Sequence, residues 1–116
     1  MPALVNLTPH EVVVLADDDD VLLRLPPKGL ARVSQTFASV GQLDVPEGTT
    51  PLVNIRDGDV VGLPEPHPDV YYVVSWLTYH ASAQREDLLV TADEVRDEAG
   101  RILGCRALGR LAPVTS

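Results

Sequence analysis

Short apolar runs separated by turn residues mark the first two-thirds of the chain. β-Branched residues dominate these runs, and proline and glycine bound them, which is typical of β-strands. The dipeptide Asp57-Gly58 favours a tight hairpin turn, the run Asp17–Asp20 lies where another hairpin loop is expected, and Pro46-Glu47-Gly48 ends a strand. We therefore predict a mostly antiparallel sheet, with strands at residues 4–7, 11–16, 21–26, 30–37, 40–45, 51–56 and 59–63.

The last third of the chain follows a proline-rich connector, residues 64–69, which is too short for a flexible linker between domains. Residues 70–74 are apolar on both faces, which predicts a central strand. Ser75 is expected to cap a short helix. One face of that helix carries Trp76, Tyr79, His80 and Ala83.

Two further segments complete the predicted fold. Residues 88–90 form a short strand, and residues 91–95 form a turn or a single helical turn capped by Thr91. A turn around Glu98-Ala99-Gly100 then leads into a closing strand. The fold class expected from the whole pattern is α+β, mostly antiparallel sheet with one or two short helices, in a single domain spanning residues 1–116.

Composition and charge narrow the class of protein. The chain has 116 residues, of which 45% are hydrophobic, and no apolar run approaches the ~20 residues of a membrane span. Its start shows no signal-peptide pattern and Cys105 is its one cysteine, so we expect a cytoplasmic protein without disulfides or a membrane partner. The net charge of −8 argues against a nucleic-acid polymer as partner, although it leaves room for a small anion in a pocket.

Catalytic groups are few. The three histidines lack metal-ligand spacing and no phosphate-binding glycine loop is present, so we predict no enzyme activity, no metal and no cofactor. Cys105 is expected to be a small core residue, with a nucleophilic role as the weaker alternative. Glu86-Asp87 and Asp93-Glu94 are interpreted as solvated loop charges. The Asp17–Asp20 run is interpreted as a solvated loop, with a metal site as the alternative.

Arg106 is the most unusual residue of the closing strand. Strand alternation places it on one face with Ile102, Gly104 and Leu108, and the other face is apolar as well. A guanidinium covered on both sides must meet an anion. That anion is either a carboxylate of the protein or a phosphate of a ligand, and Gly104 leaves room for something to approach.

Aromatic rings cluster in the segment that contains the predicted helix. Tyr71, Tyr72, Trp76 and Tyr79 lie within nine residues, and a planar base stacks on such rings with a gain of ~1–3 kcal/mol each. The alternative is that the rings are simply core, with Tyr79 the best placed to reach a pocket. Thr8-Pro9-His10 reads as a structural turn, and His10 could instead donate to a ligand phosphate.

Six segments follow one another along the chain: "NLTPHEVVVL", "ARVS", "GLPEP", "YYVVSWL", "QRED" and "VRDEAGRILGCRAL". As an ordered set they resemble the type-one Thoeris anti-defence family of small phage proteins. The resemblance implies a sponge, meaning a protein that binds and sequesters cyclic ADP-ribose isomers without cleaving them and so blocks bacterial anti-phage defence in the host cytoplasm. It also implies an α+β homo-oligomer, a dimer or higher, with ligand pockets between protomers. Some members also bind other cyclic nucleotides, namely cyclic oligonucleotides, at separate sites.

The resemblance also implies which residues contact the ligand. The aromatic ring on the helix would be Tyr79, or with less support Trp76, and the strand arginine would be Arg106. The further contacts implied by the family pattern are Arg85, Arg96 and Arg56.

Two rival functions remain open. A structural or protein-interaction module predicts that Arg106 is paired inside the protein and that no concave site exists. An enzyme acting on a small phosphorylated metabolite predicts a histidine or carboxylate with a shifted pKa beside a pocket.

Overall fold

A computed structural model describes residues 1–82 and 84–112 of the chain. The described residues form eight strands and one helix, which confirms the predicted fold class. The elements are β1 (Ala3–Asn6), β2 (Val12–Leu15), β3 (Val21–Leu25), β4 (Arg32–Val45), β5 (Gly48–Val61), β6 (Val70–Val73), α1 (Trp76–Ala81), β7 (Leu88–Arg96) and β8 (Ile102–Gly109). Among the described residues, no helix has the length and apolar character needed to cross a lipid bilayer.

Six of the strands form one sheet in the order β1-β6-β7-β8-β2-β3. Strands β7 and β8 pair antiparallel, as do β2 and β3, whereas β6 pairs parallel with both β1 and β7. Strand β6 is central, as its two apolar faces predict: Tyr72 and Val74 are buried on one side and Val73 on the other. A single parallel bridge, Val14 to Cys105, joins β2 to β8.

The sheet curls until its two edge strands approach each other. Asn6 at the end of β1 forms a bridge with Pro27, just beyond β3. The Asn6 side chain is 1% exposed. Its amide donates to the carbonyl oxygens of His10 and Leu25 at 2.8 Å each, and its own oxygen accepts from the Thr8 amide at 2.9 Å. This buried amide therefore holds the Thr8-Pro9-His10 turn in place, which fits the structural interpretation of that turn.

Two apolar clusters fill the two sides of the sheet. The first contains Leu7, Ala31, Tyr72, Val74, Leu88 and Val90. The second contains Val12, Val14, Val73 and Cys105. We call the six-stranded sheet, helix α1 and these clusters the body. Burying such side chains contributes ~1.5–3 kcal/mol each to the free energy of unfolding, so the body has a core of its own.

Strands β4 and β5 form a separate two-stranded sheet, which we call the ribbon (residues 32–61). Two sequence predictions are wrong here. The predicted strands 30–37 and 40–45 are one continuous strand that begins at Arg32, and Asp57-Gly58 lies inside a strand rather than at a turn. The ladder shifts register opposite this dipeptide, where a Cβ on Gly58 would lie 2.6 Å from the Ser34 hydroxyl oxygen. The hairpin turn is Pro46-Glu47 instead, between the paired residues Val45 and Gly48.

The ribbon extends away from the body into solvent. Every residue from Gln35 to Asp59 is exposed, and only Val33 at its base is buried. The radius of gyration is 17.8 Å. A compact chain of this length has a radius of gyration of about 13 Å, so the ribbon makes the molecule strongly elongated.

The remaining elements match the sequence in part. Ser75 caps α1 as predicted, because its hydroxyl accepts from the Thr78 amide at 3.3 Å. Residues 91–95 are part of strand β7 rather than a turn or helical turn, since their pairing with β8 overrides the local cap signal at Thr91. The predicted turn before β8 is confirmed, with Gly100 at a φ of 83°. Ala83 lies outside the described residues.

Candidate functional site

A cavity of about 330 Å³ opens between the loop after β1, strand β8 and the start of α1. The buried side chains of Val12, Val74 and Cys105 line its apolar part, together with Ile102 and Val13. Its polar lining consists of Thr8, His10, Glu11, Ser75, Thr91 and Glu94. An apolar interior with a few polar groups is the usual composition of a small-molecule site.

Trp76 stands on the wall of this cavity with 46% of its surface exposed. The His80 ring stacks on the indole at a centroid distance of 5.4 Å and an interplanar angle of 27°. The helix that carries both rings is tied to the body, because the buried Thr78 hydroxyl donates to the Ala31 carbonyl oxygen at 3.2 Å. The indole is thus presented to the cavity on a fixed support.

Two carboxylates at the cavity are each paired with an arginine. Arg24 Nη1 lies 3.0 Å from Glu11 Oε1, and Arg96 Nη2 lies 2.9 Å from Glu94 Oε2. Arg96 also donates to the Gly100 carbonyl oxygen at 2.8 Å. Arg96, a candidate from the sequence, therefore reaches the cavity only through Glu94. The Arg24–Glu11 pair was not predicted. Only the alternating pattern of the strand that carries Arg24 could have indicated it.

Arg106 does not line the cavity and already has an anion in the protein. Its Nη2 lies 2.8 Å from Asp19 Oδ1, and its Nη1 donates to the Ala16 carbonyl oxygen. The topology explains this pair: Val14 is level with Cys105 in a parallel ladder, so the turn that follows β2 comes level with the next residues of β8. The sequence left two anions open for Arg106, a carboxylate of the protein or a phosphate of a ligand. In this structure the anion is the Asp19 carboxylate.

Gly104 serves the same close approach of two strands. A Cβ at this position would lie 2.7 Å from the Val13 carbonyl oxygen, so any other residue would push β2 away from β8. The β2 strand therefore occupies the position that a side chain at residue 104 would take, while Gly104 itself lines the cavity. The expectation that β8 is covered on both faces is also wrong, because Ile102 is 57% exposed and Leu103 is 50% exposed.

Tyr79 and Trp76 differ in position from the sequence expectation. The Tyr79 ring packs against the first apolar cluster, and its hydroxyl accepts from the Leu111 amide at 2.9 Å. It does not belong to the cavity lining, whereas Trp76 does. The two rings are edge-on at 5.8 Å, so Tyr79 supports Trp76 from the side. The helical spacing identified the pair, but only the packing tells which ring faces the core.

Arg85 makes a structural pair on the other side of the body. Its Nε and Nη2 donate to the two oxygens of Asp87 at 2.8 and 2.7 Å, and its Nη2 also donates to the Pro64 carbonyl oxygen at 3.0 Å. These hydrogen bonds hold the pKa of the Asp87 carboxyl below its usual value. The interpretation of Asp87 as a solvated loop charge is wrong, since its side chain is 16% exposed.

Arg56 lies on the exposed part of the ribbon, remote in the chain from every cavity residue. The six arginine and aromatic candidates are thus dispersed. Trp76 lines the cavity, Arg96 touches its rim through a carboxylate, Tyr79 supports it, and the other three arginines lie elsewhere. Sequence reasoning missed Glu11, Glu94 and Ile102, because their contribution arises from strand pairing between distant segments.

Cys105 is the one sulfur nucleophile of the cavity, and burial raises the pKa of the Cys105 thiol, which keeps the thiol protonated at neutral pH. The described residues contain no group of three histidine, cysteine or acidic side chains arranged to hold a metal ion.

No family model, curated protein or solved structure matches the chain. The resemblance to the type-one Thoeris anti-defence family consequently stays a prediction that depends on the sequence segments alone.

Proposed function

We propose that the chain is a non-catalytic binding protein for a nucleotide-type small molecule, and that the base of this ligand occupies the cavity beside Trp76. The observation that carries this proposal is the cavity of about 330 Å³ with an exposed indole on its wall. A base stacked on an aromatic ring gains ~1–3 kcal/mol. The hydroxyl and carboxylate groups of the rim are suited to the exocyclic amine of a base and to ribose hydroxyls.

The phosphates of such a ligand need cations. Arg106 is not assigned to these phosphates, because its guanidinium is already paired with the Asp19 carboxylate. Arg24 and Arg96 lie next to the rim instead, each bound to a rim carboxylate and about half exposed. Each guanidinium has five N–H donors, of which the carboxylate partner takes only part. In this arrangement the base lies inside the cavity and the phosphates lie outside it, against the two arginines.

The resemblance supports a cyclic ADP-ribose isomer, or another cyclic nucleotide, as the ligand and sequestration as the role. A sponge that removes an immune signal needs tight binding without turnover. The protonated thiol of Cys105 is consistent with binding that leaves the ligand intact. The setting would be the cytoplasm of an infected bacterium, and the binding unit would be a homo-oligomer in which a second copy completes the open side of the pocket.

Ligand depletion and release test this function. The purified protein is incubated with a cyclic ADP-ribose isomer, free ligand is measured after filtration, and the protein is then denatured by heat. Depletion followed by recovery of intact ligand supports a sponge. Recovery of altered ligand supports the enzyme alternative, and unchanged free ligand contradicts the proposal.

A matched pair of variants assigns the site. Trp76→Ala should weaken binding by at least about tenfold, because it removes the stacking surface. Leu77→Ala is the control, since Leu77 is the next residue of the helix, is 45% exposed, and does not line the cavity. Equal loss of binding in both variants would mean that the substitutions act only through the fold of the helix. The ligand site would then lie elsewhere.

A second candidate function is a structural or protein-interaction module with no small-molecule ligand. The exposed apolar side chains of the ribbon favour it, because contiguous exposed apolar surface is typical of protein interfaces. The depletion experiment distinguishes the two candidates directly, since an interaction module leaves the free ligand unchanged.

A further inference from the structure

The ribbon exposes an unusual amount of apolar side chain for a region that lies away from the body. Phe37 is 62% exposed and Ile55 is 60% exposed. The other large apolar residues that the ribbon exposes between its base and its tip are Val40, Leu43, Val45, Leu52 and Val53. A two-stranded hairpin alone is marginally stable in water, so a ribbon of this length requires a cover.

A bulge divides these residues between the two faces of the ribbon. Ser39 pairs with Val53 and Gly41 pairs with Leu52, so Val40 is an extra residue in β4. Because side chains alternate along a strand, Phe37, Val53 and Ile55 share one face, which we call the Phe37 face. Near the tip, Leu43, Val45 and Leu52 share the opposite face, which we call the Leu43 face. The ribbon therefore needs a cover on both sides.

The Phe37 face has the layout of an interface centre. Its apolar residues lie between two polar pairs on the same face, Gln35 with Asp57 at 2.9 Å and Thr49 with Asp44 at 2.8 Å. No charged residue occurs at positions 36–43 or 48–55. An apolar centre depleted of charge and bounded by polar groups is typical of a protein–protein interface.

We propose that the ribbons of two copies of this chain pack against each other through their Phe37 faces about a two-fold axis. An apolar face is complementary to its own copy, which is what a two-fold interface requires. Pairing of strand edges alone would satisfy backbone groups but would leave Phe37, Val53 and Ile55 in water. Face-to-face packing removes these side chains from water, and for that reason it is the arrangement we assign.

The dimensions of the ribbon support a second copy as the occupant. The exposed part spans about eleven residues of β4, or ~36 Å, and two strands are ~10 Å wide, so each face offers ~350 Å² and both faces ~700 Å². A stable dimer buries ~800 Å² on each partner, which one face alone does not reach but two faces nearly do. The second face must therefore take part.

Stacking about a two-fold axis also brings the Leu43 face into contact with the second copy. The ribbon tip at Val45 is eight residues from Phe37, whereas the buried base at Val33 is only four residues away. At ~3.3 Å per residue, each tip passes ~13 Å beyond the base of the other ribbon and reaches the body of the second copy. The body exposes apolar side chains of its own outside the cavity, including Leu103, that suit the Leu43 face. One chain thus carries both halves of the interface.

The wild-type protein provides the first test. Its mass is measured by size-exclusion chromatography with light scattering from micromolar to hundred-micromolar protein. We expect twice the chain mass over most of this range, with dissociation on dilution. A chain mass at every concentration would overturn the proposal and would indicate a different protein as the partner of the ribbon. The proposed function also expects a second copy, so ligand depletion is measured on the same samples. Depletion by a chain that stays monomeric would overturn the dimer and leave ligand binding standing, whereas a dimer that leaves the free ligand unchanged would overturn the proposed function alone.

Two matched variants locate the interface. Phe37→Asp should raise the dissociation constant at least about tenfold, because it places a charge at the centre of the Phe37 face. Leu22→Asp is the control: Leu22 lies on strand β3 of the body and is also 62% exposed. Circular dichroism of both variants confirms that they fold. Equal weakening by the two substitutions, or weakening by Leu22→Asp alone, would contradict the assignment.

Disulfide trapping distinguishes the two faces. The native Cys105 is buried and does not compete for oxidant. Ile55 pairs with Phe37 across the ribbon, so in a stack centred on Phe37 the Ile55 positions of the two copies lie opposite each other. Ile55→Cys places a thiol there, and Asn54→Cys places one on the opposite face one residue away. We expect a covalent dimer from Ile55→Cys under mild oxidation and none from Asn54→Cys. The reverse result would exclude packing through the Phe37 face.

Discussion

The body and the ribbon are built from the same kind of sequence and differ in what covers it. Both contain β-strands rich in valine and leucine. In the body, Val73 is fully buried and Val90 is 2% exposed, whereas Phe37 and Ile55 in the ribbon are more than half exposed. An alternating apolar pattern therefore determines that a segment becomes a strand, but it does not determine which surface buries the apolar side.

The difference predicts two kinds of stability. The body has two buried clusters and a buried amide network, so its free energy of unfolding should depend on the single chain. The ribbon has no comparable cluster among its described residues, so its order should depend on association and thus on protein concentration. Paired substitutions, one in each region, test this distinction.

The largest effect is expected from truncating matched leucines. Leu88→Ala should lower the free energy of unfolding by about 2–5 kcal/mol, because Leu88 is 1% exposed in the first apolar cluster and its loss leaves a cavity. Leu43→Ala in the ribbon, where 47% of the side chain is exposed, should change the free energy by less than about 0.5 kcal/mol in dilute protein. Urea unfolding monitored by Trp76 fluorescence measures both.

Measuring both variants at low and high protein concentration makes this first comparison more specific. The cost of Leu88→Ala should be the same at low and high protein concentration, whereas the cost of Leu43→Ala should grow as the protein associates. A concentration-independent loss of more than 2 kcal/mol in Leu43→Ala would mean that the ribbon tip packs against its own body, and the distinction between the regions would be lost.

The next effect concerns asparagines in the two regions. Asn6→Ala should cost about 2–3 kcal/mol, since it leaves the carbonyl oxygens of His10 and Leu25 without their donor in a part-buried site. Asn54→Ala in the ribbon should cost almost nothing, because Asn54 is exposed. Thermal unfolding of the two variants gives the comparison. Equal costs would show that the Asn6 network is not what holds the edges of the sheet together.

These two regions also explain how far the sequence predicts the fold. Strand composition and the cap at Ser75 are local, and the local signals correctly gave β2, β3, β6 and α1. The Asp57-Gly58 signal was misleading, because the pairing of β4 with β5 extends over fourteen-residue strands and overrides the preference of one dipeptide. Residues 91–95 became a strand for the same reason, since β8 supplies a partner that no local signal reveals.

The candidate site was predictable only in its residue types. The sequence indicates that an arginine on an apolar strand needs an anion, and the structure supplies one, but the partner comes from a turn 87 positions earlier in the chain because β2 pairs parallel with β8. Likewise, helical spacing groups Trp76 with Tyr79, and the packing against the core separates them. Long-range strand order therefore limited the prediction of the site.

A smaller effect, which depends on pH, is expected at the partly buried Arg85–Asp87 ion pair of the body. Asp87→Asn should cost about 1–2 kcal/mol at pH 7, because it removes the charge that Arg85 binds through two hydrogen bonds. The pKa of Asp87 is lowered by folding. Its stabilisation is therefore complete above the unfolded pKa of about 4 and is lost as pH falls through the folded value.

Asp57→Asn is the ribbon counterpart of that variant. The exposed Asp57 accepts one hydrogen bond from Gln35, which an asparagine oxygen also accepts, so little change is expected at any pH. Urea unfolding of the wild type and both variants between pH 3 and pH 7 makes the comparison. A difference between Asp87→Asn and the wild type that persists undiminished at pH 3 would assign the cost to packing rather than to charge.

The smallest effect is expected where the Asp17–Asp20 turn meets β8. Arg106→Ala should cost on the order of 1 kcal/mol in stability, since the guanidinium is 27% exposed and Asp19 is 64% exposed, and such pairs contribute little in water. Asp19→Asn should cost a similar amount, and Asp18→Asn should cost nothing, because Asp18 makes no ion pair with any described residue. Ligand depletion by Arg106→Ala should equal that of the wild type. A loss of depletion with unchanged stability would instead return Arg106 to the ligand, and it would mean that a bound phosphate displaces Asp19 from the guanidinium.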